Sequence, residues 1–157
     1  MNSLVFDQVA VGAEVPALKL RVTTTAVIAG ALASRDYSPL HHDYHYVTAE
    51  AGHPDIFLNT PHQAALFERL LSDWAGPRGR LGRMKFAMKS SVYAGNDISI
   101  SGRVTAREID KSGCGWLTLT LEITAVERVK TTCEARYALP VDATDNPWLR
   151  KGEEWQP

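Results

Sequence analysis

Asp36 and His41 stand five positions apart in the run Arg35-Asp36-Tyr37-Ser38-Pro39-Leu40-His41-His42-Asp43. A carboxylate and an imidazole aimed at one water molecule can take a proton from it and deliver one to a substrate. Pro39 fixes its own φ and disfavours an α conformation at Ser38, so the intervening chain must bend. Such a loop can turn both side chains into one cleft, where burial would raise the pKa of Asp36 and improve it as a base. All five histidines (His41, His42, His45, His53 and His62) fall in this part of the chain, so no other region supplies an imidazole. His42, Asp43 and His45 carry metal-ligating atoms, but the sequence holds no second ligand cluster to complete a site. They are read as an exposed loop, with no metal.

The elements that must position this loop follow from periodicity. Residues 9–16 hold Val-Gly and Val-Pro pairs and read as a turn, and 18–23 alternate apolar and polar residues as a half-buried strand does. Thr24 or Thr25 is placed to cap a helix over 26–34, whose alanines and Gly30 suit close packing. A short helix over 47–52 ends at Gly52. The clearest helix opens at Thr60-Pro61-His62-Gln63, read as an N-cap Thr, Pro in the first turn and a capping-box Gln. Phe67, Leu70, Leu71 and Trp74 then fall at the spacing of one buried stripe, and Gly76-Pro77 stops it. After Gly82 the period becomes two. Strands are predicted around Met84–Met88, Ile98–Val104, Trp116–Ile123 and Cys133–Leu139, with turns at 94–97 and 110–113. One buried helix against one curled antiparallel sheet is an α+β layer architecture. A hotdog fold, its sheet wrapped around the long central helix, satisfies this order. A single helix stripe is a small core for one sheet, so a dimer is expected.

Composition narrows the classes. The chain has 157 residues, 45% hydrophobic and 22% charged, with net charge −1. That is the size of one domain with a real core. We expect a single domain over 1–140 and a polar tail over 141–157, in which Trp148 and Trp155 could dock on a surface. The charge balance gives no footprint for nucleic acid and no polybasic membrane patch. No run approaches the about 18 apolar residues of a membrane span, and residues 1–7 lack the basic and apolar regions of a signal peptide. Cys114 and Cys133 form neither a disulfide scaffold nor a zinc pattern and are read as inert, so a cytoplasmic location is expected. Arg78, Arg80, Arg83, Lys85 and Lys89 could meet phosphates but are read as a solvated face.

Asp36-Tyr37-Ser38-Pro39-Leu40-His41 resembles the hydratase-2 motif of MaoC-like acyl dehydratases, Asp-x-Asn-Pro-[Leu/Ile/Val]-His. Val92-Tyr93-Ala94-Gly95-Asn96-Asp97 resembles the family's Val-x-Pro-Gly-Asp turn. The sequence departs from the pattern at three places. Ser38 replaces the motif's Asn, Arg35 replaces its preceding Gly, and Phe57-Leu58-Asn59 stands where the family has Ala-His-Gly. Phe57-Leu58-Asn59 with Ser72-Asp73-Trp74-Ala75-Gly76 resembles MaoC-like subunits of bacterial steroid side-chain degradation, some of which work beside a second MaoC-like chain.

The resemblance implies a hotdog fold and (R)-specific hydration of a trans-2-enoyl-CoA, or the reverse dehydration. It implies no cofactor beyond the coenzyme A thioester that is the substrate. Asp36 and His41 take the catalytic positions. Ser38, Asn59 and Thr60 take substrate-binding ones, with backbone N–H groups around Asn59 and Thr60, or from His62 onward, facing the thioester oxygen. The implied partners are the acyl-CoA and a second hotdog chain, either a copy or a different one. The alternatives are a hotdog thioesterase using Asp36 as base on the thioester carbonyl, and a subunit that needs a partner for activity.

Overall fold

The computed structural model describes residues 3–157. Five strands, β1 (Glu14–Arg21), β2 (Arg80–Met88), β3 (Asp97–Ile109), β4 (Gly115–Ala125) and β5 (Arg128–Leu139), form one antiparallel sheet in the order β1-β3-β4-β5-β2. Helix α1 (Thr24–Ala33) and helix α2 (Thr60–Ala75) lie between β1 and β2 in sequence. The alternation along β4 sends Leu117, Leu119, Leu121 and Ile123 into the core, where they meet Phe67, Leu70 and Leu71 of α2. The sheet therefore closes on the apolar stripe of α2, which is the hotdog arrangement expected from the element order.

The differences from expectation sit at element ends. β1 starts at Glu14 rather than Leu18, because the register shift between Val15 and Leu18 accommodates Pro16 in an edge strand. Thr23, not Thr24 or Thr25, caps α1: its Oγ1 accepts from the Ala26 N–H at 3.1 Å. The segment expected as a short helix over 47–52 is a π-helical turn, Tyr46–Glu50. Gly52, at φ +70°, leads the chain out of it. Asn59 rather than Thr60 is the N-cap of α2, accepting from the His62 N–H at 3.1 Å. Gln63 makes no capping box; it is buried, and its Oε1 accepts from Thr131 Oγ1 at 2.6 Å. The β4–β5 turn is Val126-Glu127, both left-handed at φ +51° and +57°.

The tail is docked. Two 3-10 turns, Pro147–Leu149 and Gly152–Glu154, bring Trp155 onto Trp116 with ring centroids 4.7 Å apart. Among the described residues no helix is long and apolar enough to cross a membrane, which leaves open whether strands could do so.

Candidate active site

The end of α1 aims Asp36. The Asp36 N–H donates to Ala31 O at 2.9 Å and the Arg35 N–H to Leu32 O at 3.0 Å, with Arg35 at φ +55°. This paired closure around a left-handed residue is a Schellman motif, whose preferred residue is glycine. It explains why the related motif carries Gly before its Asp. Ser38 is extended, as the following proline requires, and its N–H donates to Asp36 Oδ1 at 3.2 Å. Its hydroxyl makes no hydrogen bond among the described residues, so what Ser38 gives the site is its backbone.

Pro39–His41 form one 3-10 turn that buries the imidazole of His41. His41 Nδ1 lies 2.8 Å from Phe57 O. A carbonyl only accepts, so Nδ1 carries the hydrogen and Nε2 faces Asp36. The His41 Nε2–Asp36 Oδ2 separation is 3.4 Å. Both atoms can therefore reach a single small molecule placed beside them.

The second motif supports this geometry from behind. Leu58 N–H donates to Val92 O at 2.9 Å, Ala94 N–H to Ile56 O at 2.9 Å, and Phe57 pairs with Tyr93. Gly95, at φ +84°, donates to Val22 O at 2.7 Å, and Val22 N–H returns a bond to Asn96 O. Residues 92–97 thus pin the strand-like segment whose Phe57 carbonyl orients His41. The ring of Phe57 meets His41 edge-on at 5.2 Å and Tyr93 edge-on at 5.9 Å.

Asn59 completes the constellation. Its Nδ2 donates to Ser34 Oγ at 2.8 Å and to Asp36 Oδ2 at 3.1 Å. With the Asn59 amide as the largest cause, this hydrogen bond, the Ser38 N–H and the positive fields of His41 and His42 hold the Asp36 carboxyl below its ordinary range, against an opposing desolvation. The raised pKa expected from burial is therefore reversed: the groups that surround the carboxylate bind its charged form more strongly than burial disfavours it.

A cleft of ≈ 320 Å³ is lined by His41, Phe57, Asn59, Thr60, Gln63 and Met88, with Lys89, Ser90 and Ser91 also on its wall. Asp36 and Ser38 do not line it; Asp36 is joined to it through His41 and the Asn59 amide. A wider groove of ≈ 500 Å³ beside Arg21 and Val126 holds no imidazole. His62 N–H is taken by the Asn59 cap and Gln63 N–H by Asn59 O. Among the described residues the Asn59 and Thr60 N–H groups have no partner. Thr60 sits on the cleft wall with its hydroxyl 3.6 Å from Met88 Sδ. Sequence reasoning missed Ser34, the Phe57 carbonyl and Met88, and it misread Gln63. Only Ser34, two residues before Asp36 at a helix end, left a local signal.

Of the basic residues, Arg78 and Arg80 are committed to the tail. Arg78 Nη1 donates to Ala143 O at 2.7 Å, and the Arg80 guanidinium lies 3.7 Å from the Trp155 ring centre. Lys89 alone of the five lines this cleft. Among the described residues no group of three or more His, Cys, Asp or Glu is gathered as a metal site would require.

No family model matches the chain. The beta subunit of 3-oxo-4,17-pregnadiene-20-carboxyl-CoA hydratase from Mycobacterium tuberculosis is 38% identical over 96 residues, spanning 61% of this chain and 74% of that protein. A chain of the ChsH1-ChsH2 complex from the same organism superposes with TM-score 0.75 at 29% identity, over 83% of this chain and 98% of that one. The (R)-hydratase of A. caviae involved in PHA biosynthesis superposes with TM-score 0.73 at 28% identity, over 84% of this chain and 98% of that one. The sheet wrapped on one helix, together with these relatives, defines a hotdog-fold enzyme of the hydratase–dehydratase class. The chain belongs to the MaoC-like hydratase and dehydratase family.

Proposed function

We propose that this protein adds water across the 2,3 double bond of a trans-2-enoyl-CoA, or removes it in reverse, giving the (R)-3-hydroxyacyl thioester. The observation that carries this reading is the Asp36–His41 pair, 3.4 Å apart, with His41 on the wall of a cleft that Asn59 and Thr60 also line. Water held by the pair loses a proton to one member as its oxygen bonds to C3. The electron pair of the double bond moves toward the thioester oxygen, where the N–H groups at the positive end of α2 stabilise it. C2 then takes a proton from the pair on the same face. The route uses only water, the thioester and these side chains, so no metal or organic cofactor enters it.

The relatives support a bulky acyl group and a second hotdog chain. One relative is named for a pregnadiene carboxyl-CoA and as a beta subunit, and another comes from a two-protein complex.

The test is a panel of enoyl-CoAs, from crotonyl to steroid-like, assayed with the chain alone and with a second MaoC-like chain. Loss of enoyl absorbance and chiral analysis of the product are read beside free thiol release. Hydration without thiol release is expected. Asp36→Asn and His41→Ala should each lower kcat by roughly 10²–10⁴-fold. Near-wild-type turnover by either variant, or thiol release in place of absorbance loss, overturns the reading.

A further inference from the structure

We infer that the Asn59 side chain is a positioning residue that locks the Asp36 carboxylate to the N-terminus of α2, so that the proton-transferring group and the donors for the thioester oxygen are held as one unit. This rests on the hydratase reading for its catalytic consequence, although the lock itself is a matter of geometry. Every polar atom of the Asn59 amide is used. Oδ1 accepts from the His62 N–H at 3.1 Å, one Nδ2 hydrogen goes to Ser34 Oγ at 2.8 Å and the other to Asp36 Oδ2 at 3.1 Å. Ser34 Oγ in turn donates to Gly30 O at 2.8 Å, so its lone pairs face the amide.

This set fixes the orientation of the amide. Rotated by half a turn, Asn59 would set its NH₂ against the His62 N–H and its oxygen against a carboxylate, losing the bonds to His62 and Asp36 together. The residue is only 2% exposed, so water cannot compensate for a misplaced amide. The Asp36 oxygen it grips is the one 3.4 Å from His41 Nε2. Asn59 therefore sets how far the carboxylate lies from the imidazole and from the helix end. Ser38, where the related motif has Asn, offers Asp36 only its backbone N–H. The carboxamide absent from position 38 is present at position 59, which also bonds Asp36.

The charged surroundings of Asp36 are simple. His41 and His42 act on it from its own loop. α1 presents the neutral Ser34 and α2 the neutral Asn59. His62 on α2 is packed against Gly30, and burial holds it below the ordinary imidazole range. Lys89, just past β2, lines the cleft beside His41. Removing the Asn59 donor should therefore be read directly in the titration of Asp36.

The test separates the cap from the lock. Asn59→Ser and Asn59→Asp keep a good N-cap acceptor but lose the amide donor, and Asp adds a second carboxylate facing Asp36. Carboxyl ¹³C NMR of the full chain, with Asp36 assigned through Asp36→Asn, gives its titration midpoint. We expect that midpoint to rise in Asn59→Ser and further in Asn59→Asp. The acid limb of kcat/KM should move with it and kcat should fall, in variants whose circular dichroism shows the folded state at the assay temperature. An Asp36 midpoint unchanged in both variants overturns the inference. Absence of hydration by the wild-type chain, alone and with its partner chain, overturns the hydratase reading instead, and the NMR midpoint still decides the role of Asn59.

Discussion

Arg35 occupies a backbone position that favours glycine. At φ +55° a residue with a Cβ carries a cost of roughly 1–2 kcal/mol, yet the Schellman closure here needs that conformation to aim Asp36. Arg35→Gly is expected to raise the melting temperature by a few degrees while leaving kcat unchanged, as read by calorimetry and hydratase assay. Asp110 shows the opposite economy. Its Oδ1 accepts from Ser112 N–H, Ser112 Oγ and Cys114 N–H, and its Oδ2 from Trp116 Nε1 at 2.8 Å. Desolvation would raise its pKa, but these bonds overcome it and bring the carboxyl down to about 2. Because the folded value lies below the unfolded one, the stabilisation is complete above about pH 4 and is lost as pH falls toward 2. Asp110→Ala, which strands a buried indole N–H, should cost about 2 kcal/mol in urea denaturation at pH 7 and flatten the acid-side decline.

At the scale of elements, the site depends on how closely α1 approaches α2. A Cβ on Gly30 would land on the His62 ring, whose Nδ1 is buried without a partner. Gly30→Ala should therefore push the helices apart, costing about 1–3 kcal/mol of stability. It should also lower kcat, because Ser34 and Asp36 ride on α1 while Asn59 rides on α2. Chemical denaturation and the hydratase assay together check this. The β4–β5 turn offers a gain instead. Val126 and Glu127 are both left-handed, a conformation suited to Asn-Gly. Val126→Asn with Glu127→Gly should raise the melting temperature without touching turnover.

At the scale of the whole molecule, the described residues form two apolar assemblies. The larger lies between α2 and the inner face of the sheet. The smaller, on the outer face, gathers Cys114, Trp116 and Ala138 beneath Trp155. Gly82 admits this packing, since a Cβ there would come 2.5 Å from Trp116 and 2.6 Å from Pro157. Arg150 bonds Ser112 O, Gly113 O and Asp145 and fastens the tail to the 110–113 turn. The tail takes no part in the proposed chemistry, so Trp155→Ala should cost about 2–3 kcal/mol of stability at unchanged kcat. Burial raises both free thiols to about 11. Cys114 and Cys133 should therefore react with a thiol reagent only as the chain unfolds.

The sequence by itself determined what is local or periodic. Period-two runs after Gly82 and the stripe Phe67-Leu70-Leu71-Trp74 specify sheet and helix because each pattern can bury only one face. Pro39 restricts Ser38 whatever surrounds it, so the bend between Asp36 and His41 was legible. What only the tertiary structure decided are contacts between residues far apart in the chain. The pairing of Gln63 with Thr131 is invisible along the sequence because a buried Gln and a capping-box Gln have the same local context. The orientation of His41 depends on the Phe57 carbonyl, and that carbonyl is placed by residues 92–97. The ionisation of Asp36 depends on Asn59, 23 residues away. Sequence showed a carboxylate in a bent loop and suggested that burial would raise its pKa. The amide brought to it from α2 reverses that direction, because a hydrogen bond to the charged form outweighs the loss of water.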